Sequence, residues 1–201
     1  LPEGVETARV GMPGISVAFL PASTADPLGT ELTGNRQDNA LTGGDGGDVL
    51  DGAEGDDTLE GGHGDDVYHI DSVGDAVIEH GDGGHDEVRS TVDVSLPDEV
   101  EDLVLFGDAN TTGTGNRKGN RIDADAGANT LSGGDGRDTI DAADGADRVE
   151  GGSWSDGMVG GAGDDTLQGG RGRDTMSGDA GDDLMAGWLG DDAMSGGVGD
   201  D

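Results

Sequence analysis

The sequence repeats a unit of nine residues, and the fixed phase of this repeat constrains the fold more than any other feature. Blocks of nine begin at residues 34, 43, 52 and 61, then every nine residues from 115 to 187, with a partial block at 196. Thirteen complete blocks carry Asp or Asn at place six and an apolar residue at place eight, as Asp165 and Leu167 do in block 160–168. One apolar side chain per unit cannot form a core alone, so the period predicts a solenoid of stacked units.

The composition indicates that this chain needs a ligand in order to fold. Leu, Ile, Val and Phe together make 36 of the 201 residues, Gly makes 43, and the formal net charge is −35. Such values are typical of a disordered chain unless something outside the sequence supplies free energy. The acid excess disfavours nucleic acid and anionic membranes as partners, and it favours cations.

The sequence shows no cysteine for a disulfide bond and no targeting segment. It contains no cysteine, so disulfides cannot stabilise it. No apolar stretch approaches the ~18 residues of a transmembrane helix, and the first residues lack the pattern of a Sec-type signal peptide. The last block stops mid-repeat at Asp201, so we expect the chain to be a fragment of a longer protein.

The place-six residues are candidate ligands of a hard cation. Calcium takes about six to eight oxygens from carboxylates and carbonyls, and glycine-rich turns can point carbonyls inward because glycine accepts positive φ. Weaker candidates are Asn39, Asn120 and Asn129, and also Asp86 in an out-of-phase copy of the unit, GDGGHDEVR (81–89). The candidate aspartates are Asp48, Asp57, Asp66, Asp138, Asp147, Asp156, Asp165, Asp174, Asp183, Asp192 and Asp201.

The repeat resembles that of a known family. Blocks GGDGGDVLD (43–51), GGHGDDVYH (61–69), GGDGRDTID (133–141), GGAGDDTLQ (160–168) and GGRGRDTMS (169–177) fit its pattern at every defined place. This pattern is similar to the calcium-binding nonapeptide of the RTX (repeats-in-toxin) proteins. The resemblance implies an all-β, calcium-bound parallel β-roll with two nonapeptides per coil. Multiple Ca²⁺ ions then lie between turns that are two nonapeptides apart, for example between Asp147 and Asp165.

The repeat divides the chain into four segments. Residues 1–33 contain four of the five prolines and no repeat, so we expect a linker or the tail of an upstream domain. Residues 34–69 form the first array and residues 115–201 the second. Between them, residues 70–114 are less rich in glycine and contain alternating runs such as VRSTVDVSL, which predict irregular β-strands.

Some blocks depart from the pattern. Blocks 34–42, 115–123 and 124–132 carry Asn in place of Asp and lack turn glycines, so they resemble the atypical capping repeats of solenoids. Trp154 and Trp188 replace turn glycines in blocks 151–159 and 187–195. Two interpretations stay open: each ring damages or is tolerated by its turn, or the two rings form part of a contact surface.

The sequence predicts a module without catalysis. It contains no HExxH, GxSxG or P-loop motif, and its four histidines lack the spacing of a zinc site. The RTX resemblance implies a secreted, extracellular module that leaves a Gram-negative bacterium unfolded through the type I secretion apparatus and folds on calcium. The alternatives are a segment of a surface-layer or adhesin protein, or the non-catalytic part of a secreted serralysin-like protease, lipase or alginate epimerase. A carbohydrate or a cell surface stays open as a further partner.

Overall fold

The computed structural model describes residues 7–9, 16–19, 29–81, 84–107 and 109–201. Every regular element in these ranges is a β-strand. The described part of the chain contains no helix that is long and apolar enough to span a membrane. The chain divides into two compact units, Leu1–Ser90 and Thr91–Asp201, which we describe separately.

The first unit consists of two parallel sheets. Its odd-numbered strands form one sheet in the order β1-β3-β5-β7-β9, and its even-numbered strands form the other in the order β2-β4-β6-β8. The strands are β1 (Thr7–Arg9), β2 (Ser16–Phe19), β3 (Glu31–Thr33), β4 (Asn39–Asp45), β5 (Val49–Asp51), β6 (Thr58–His63), β7 (Val67–Ile70), β8 (Ala76–Ile78) and β9 (Glu87–Ser90).

The second unit repeats this arrangement. Its sheets have the orders β11-β13-β15-β17-β19-β21 and β10-β12-β14-β16-β18-β20. The strands are β10 (Val94–Ser95), β11 (Asp102–Leu105), β12 (Thr112–Thr114), β13 (Arg121–Asp123), β14 (Thr130–Asp135), β15 (Thr139–Asp141), β16 (Arg148–Ser153), β17 (Gly157–Ala162), β18 (Thr166–Arg171), β19 (Thr175–Ala180), β20 (Leu184–Leu189) and β21 (Ala193–Val198).

The regular strands pair in parallel, and each residue meets the residue that lies two nonapeptides later in the chain. Leu131 pairs with Val149, and Val149 in turn pairs with Leu167 in the following coil. Consecutive strands alternate between the two sheets, so each coil contains two nonapeptides and one strand of each sheet. Each unit is therefore a parallel β-solenoid, and the predicted all-β roll is confirmed.

In the regular coils the core is a column of apolar side chains in each sheet. Alternate residues of a strand point to opposite faces, so place eight points inward, on the same side as the place-six residue before it and the glycine after it. Leu50, Leu59, Ile122, Val149 and Leu167 at this place are at most 1 % exposed. A core with one apolar residue per nine is thin, so the turns must contribute to stability as well.

The register is irregular within residues 70–114. Val67 of β7 pairs with Glu87 of β9, which lies two positions beyond the regular register. Asp102 of β11 pairs with Arg121 of β13, which lies one position beyond it. Extra residues in these coils lengthen the turns and leave the strands parallel. The four segment boundaries drawn from the sequence stay a prediction.

Residues 1–33 contain three strands in the described part of the chain. Thr7 of β1 pairs with Glu31 of β3, and Ser16 of β2 pairs with Asn39 of β4. In both pairs the partners are further apart along the chain than two nonapeptides, so these coils are longer than the regular ones. Residues 1–6, 10–15 and 20–28 of the predicted linker or tail lie outside the described residues.

Candidate metal-binding turns

Each place-six aspartate stands at the junction of a glycine-rich turn and the strand that follows. In block 160–168, Gly161 and Gly163 have φ of 105° and 135°, values that disfavour any residue with a Cβ. Asp165 follows this turn and precedes β18. The turn therefore fixes where the carboxylate lies, and stacking the coils aligns one carboxylate above another along each edge of the roll.

One oxygen of each stacked carboxylate accepts a backbone hydrogen bond from the preceding coil. The N–H of Asp147 donates to Oδ1 of Asp165 at 2.8 Å, and the N–H of Asp165 donates to Oδ1 of Asp183 at 2.9 Å. The same hydrogen bond, from the backbone N–H of the first residue to Oδ1 of the second, joins eight further pairs. They are Asn39/Asp57, Asp48/Asp66, Asn120/Asp138, Asn129/Asp147, Asp138/Asp156, Asp156/Asp174, Asp174/Asp192 and Asp183/Asp201.

In eight of these aspartates the second oxygen is buried and accepts no hydrogen bond within the described structure. These eight residues are at most 5 % exposed. Burying an ionised oxygen without a partner is costly, so a row of such oxygens requires a compensating charge. The buried Oδ2 atoms of this kind belong to Asp57, Asp66, Asp138, Asp147, Asp156, Asp165, Asp174 and Asp183.

The surroundings of Oδ2 of Asp165 contain further oxygen atoms and no room for a side chain on Gly160. A Cβ placed on Gly160 would lie 2.4 Å from Oδ2 of Asp165 and 3.0 Å from the carbonyl oxygen of Gly178 in the next coil. A carboxylate oxygen and a carbonyl oxygen of adjacent coils thus converge beside a glycine. Oxygen ligands of this type suit a hard cation such as calcium, so the residues fit the ion that the repeat implies.

Several of the stacked carboxylates have raised pKa values. Burial raises the pKa of Asp66 to about 8 and that of Asp138 to about 7. Burial also raises the pKa of Asp57, Asp147 and Asp156 to about 6. Backbone hydrogen bonds oppose these shifts, and the charge of the aspartate in the adjacent coil increases them. In the metal-free roll, Asp66 and Asp138 therefore resist ionisation near neutral pH.

The remaining candidates from the sequence occupy different environments. Asp192 is half-buried and Asp201 is exposed, although both accept a backbone N–H from the preceding coil. The amide of Asn120 donates to the carbonyl oxygens of Val100 and Glu101 at 3.0 and 3.1 Å. The amide nitrogen of Asn120 thus makes neutral hydrogen bonds, which a carboxylate at this place could not donate.

Sequence reasoning missed two carboxylates in the irregular segment. Asp75 keeps place six of block 70–78 and accepts the N–H of Asp57 at 2.8 Å, but its other oxygen accepts the N–H groups of Asp71 and Ser72. The unbroken nine-residue phase could have identified it, although the block lacks the turn glycines. Glu79 lies with Asp66 and Asp86, and one carboxylate oxygen of each is within 4.8 Å of the others.

The two replacement tryptophans are exposed on one edge of the second unit. Trp154 and Trp188 are each 71 % exposed and have φ of 85° and 68°. Trp188 pairs with Gly170 across the sheet, while Ser153, which precedes Trp154, pairs with the adjacent Arg171. Trp154 therefore directly follows β16 and Trp188 lies near the end of β20, so both stand at the same end of the strands of one sheet.

The fold and the turns define a class: parallel β-solenoids built from glycine-rich nonapeptides with buried aspartates along the turns. A family model described as the RTX calcium-binding nonapeptide repeat matches the chain four times, at residues 32–70, 112–153, 159–194 and 172–201. The chain belongs to this family, and its repeats are calcium-binding repeats of a structural module. No curated protein sequence matches the chain.

Proposed function

We propose that this chain is a calcium-binding module that folds on binding extracellular calcium and supports type I secretion and folding of a larger secreted protein. The observation that carries the proposal is the row of buried Oδ2 atoms that accept no hydrogen bond in the described turns. Such a row is unfavourable while it is ionised and lacks a partner, and cations on the turns remove that cost.

The ligands that we propose are the place-six carboxylates and the backbone carbonyls of the glycine-rich turns. Each internal carboxylate lies between two others, as Asp165 lies between Asp147 and Asp183. A bound ion supplies positive charge that links adjacent coils. By the repeat pattern alone, the asparagines at this place and the out-of-phase Asp86 are weaker candidate ligands. The proposed ligands are Asp48, Asp57, Asp66, Asp138, Asp147, Asp156, Asp165, Asp174, Asp183, Asp192 and Asp201.

The charge of the chain supports the secretion part of the proposal. With a formal net charge of −35 and a thin core, the metal-free chain repels itself and stays expanded. An expanded chain is the form that a narrow secretion channel can pass, and abundant calcium outside the cell then drives folding. We therefore assign the chain an extracellular location and no catalytic reaction of its own.

Replacing one internal ligand tests the pairing directly. In Asp165→Asn, calcium titration by calorimetry should show a higher folding midpoint and fewer bound ions, because the sites shared with Asp147 and Asp183 each lose a charge. The matched control is Asp191→Asn, whose side chain is 92 % exposed. Unchanged stoichiometry and midpoint in Asp165→Asn would show that place six is not the ligand position.

A second candidate function, a surface-layer or adhesin segment, is favoured by the two exposed tryptophans. A large side chain at positive φ costs roughly 1–3 kcal/mol, so a contact role for the rings would explain why the turns accommodate them. If this function holds, the folded chain should be retained on an insoluble neutral polysaccharide, and the double variant Trp154→Ala, Trp188→Ala should elute freely. Equal elution of both proteins would remove this candidate.

A further inference from the structure

Glu79 occupies a position that is glycine in the regular coils. The pairing of Glu60 with Ile78 places Glu79 one coil after Gly61, which itself lies one coil after Gly43. A Cβ placed on Gly43 would lie 2.2 Å from Oδ2 of Asp48 and 2.6 Å from the carbonyl oxygen of Gly61. The glycine coils of the first unit therefore have no space for a side chain at this position.

The coil that contains Glu79 has two additional residues. Ile78 keeps the regular register, whereas Glu87 pairs with Val67 and so lies two positions beyond it. The two extra residues therefore enter the turn between Glu79 and Glu87. They lengthen the turn at the one position where a carboxylate replaces the glycine, and the half-buried side chain of Glu79 is accommodated there.

The Glu79 carboxylate faces the carboxylates of two adjacent coils. One oxygen from each of Asp66, Glu79 and Asp86 lies within 4.8 Å of the other two, and both aspartates are 1 % exposed. The hydroxyl of the fully buried Tyr68 donates to Oε1 of Glu79. A Cβ placed on Gly61 would lie 2.0 Å from Oδ2 of Asp66 and 2.1 Å from the Tyr68 hydroxyl. These oxygens thus converge on one point beside Gly61.

An independent observation indicates that this point takes a ligand. Oδ2 of Asp66 is buried in the cluster and makes no hydrogen bond in the described structure, while Oδ1 of the same residue already accepts the N–H of Asp48 at 2.6 Å. Three carboxylates at this separation repel one another strongly when ionised. A cation among them relieves the repulsion and gives the unsatisfied oxygen a partner.

We propose that Asp66, Glu79 and Asp86 hold a divalent cation of the calcium type, in a site that differs from the repeat sites by its third carboxylate. This inference rests on the proposed calcium-dependent folding. More ligand charge gives tighter calcium binding, so this site fills before the two-aspartate sites as calcium rises. It also bridges the point at which the regular register of the first unit ends, and so it fixes the irregular coil onto the regular ones.

Tyr68 provides a direct optical probe of this site. It is the single tyrosine of the chain, and its hydroxyl contacts Glu79. Terbium takes calcium sites and emits when an excited aromatic ring lies close by. In the full chain with Trp154→Phe and Trp188→Phe, tyrosine excitation should therefore give terbium emission that saturates at the lowest terbium addition, and calcium should displace the ion.

Removing the third carboxylate tests the role of Glu79. In this background, Glu79→Gln should weaken tyrosine-sensitised terbium binding by about tenfold or more, and Glu79→Asp should restore part of it. The control Glu54→Gln, at a side chain that is 70 % exposed in the same unit, should bind as the parent does. Excess calcium should restore the β signal of Glu79→Gln in circular dichroism, because a lost ligand weakens a site by mass action.

The possible outcomes separate this inference from the proposed function. Tyrosine-sensitised emission that is unchanged in Glu79→Gln overturns the third-carboxylate site, even if calcium still folds the chain. A Glu79→Gln chain that excess calcium cannot fold also overturns it, since Glu79 is then a structural residue rather than a ligand. Failure of the parent chain to gain β structure with calcium contradicts the proposed function instead.

Discussion

Place-one glycines leave space for one carboxylate oxygen and nothing larger. A Cβ on Gly160 would lie 2.4 Å from Oδ2 of Asp165, and a Cβ on Gly169 would lie 2.4 Å from Oδ2 of Asp174. The glycine and the aspartate that ends its turn are thus one structural unit, since the absence of a side chain at the first brings backbone carbonyls beside the second. The arrangement of oxygen atoms in the turn therefore suits a cation, beyond what a simple connection between two strands would require.

A methyl group added at Gly160 should displace the carboxylate of Asp165, although Ala142 occupies the same place one coil earlier. We expect Gly160→Ala to lower the free energy of unfolding in saturating calcium by about 1–3 kcal/mol, because the carboxylate must move. In the control Gly157→Ala the nearest heavy atom to the new Cβ is the carbonyl oxygen of Asp138 at 4.0 Å, so stability should change by less than about 0.5 kcal/mol. Urea unfolding curves measure both. Equal loss in the two variants would contradict the proposed shape of the turn.

Most strands of the regular coils contribute one buried apolar side chain, so the sheets depend on stacking. Leu167 of β18 is fully buried and pairs with Val149 and Met185 in the neighbouring coils. Every coil therefore contacts only the coils before and after it. The stability of the roll therefore depends on the interfaces between neighbouring coils, as in other solenoids.

Truncating one core side chain should loosen several coils. Leu167→Ala is expected to lower the free energy of unfolding in calcium by about 2–5 kcal/mol, since the cavity lies between two sheets that are too thin to close it. The control Leu184→Ala, at a side chain that is 66 % exposed, should cost less than about 0.5 kcal/mol. Thermal unfolding of both variants in calcium tests this, and similar melting temperatures would argue against a core confined to place eight.

The regular strands and turns were predictable because the sequence repeats the same residue types every nine residues. Asp165 and Leu167 recur in phase through both arrays, and that phase gave the all-β fold and the coil of two nonapeptides through the RTX resemblance. The Glu79 cluster was not predictable, because two inserted residues shift Asp86 by an amount that only the stacked structure defines. Likewise, β1 and β2 pair with β3 and β4 across long connections of unequal length, and no repeat marks those lengths in the sequence.

Over the whole molecule, acidic repulsion opposes the stacking that the core requires. The formal net charge is −35, and several buried carboxylates have raised pKa values, with Asp66 at about 8 and Asp138 at about 7. Protons and calcium both neutralise these groups. Either one should therefore favour the compact chain, although they compete with each other for the same oxygens.

The pH dependence should consequently reverse when calcium is added. The folded pKa values of about 8 to 6 lie above the usual 3.8, so in EDTA the β content should be lowest above about pH 8 and should rise as the pH falls below these folded values toward 3.8. In limiting calcium, lowering the pH should instead raise the calcium midpoint, because protons displace the ion. Circular dichroism down to about pH 5, above the isoelectric point of 4.1, measures both trends. A metal-free β content that falls with decreasing pH would contradict the assigned carboxyl environments.

Far-ultraviolet circular dichroism of the full chain at neutral pH, first in EDTA and then with increasing calcium, tests the central claim most directly. The account predicts an expanded chain with little β signal in EDTA and a cooperative gain of β structure with calcium, which an equal concentration of sodium chloride does not reproduce. Full β content in EDTA, unchanged when calcium is added, would contradict the account, because the roll would then fold without its cations.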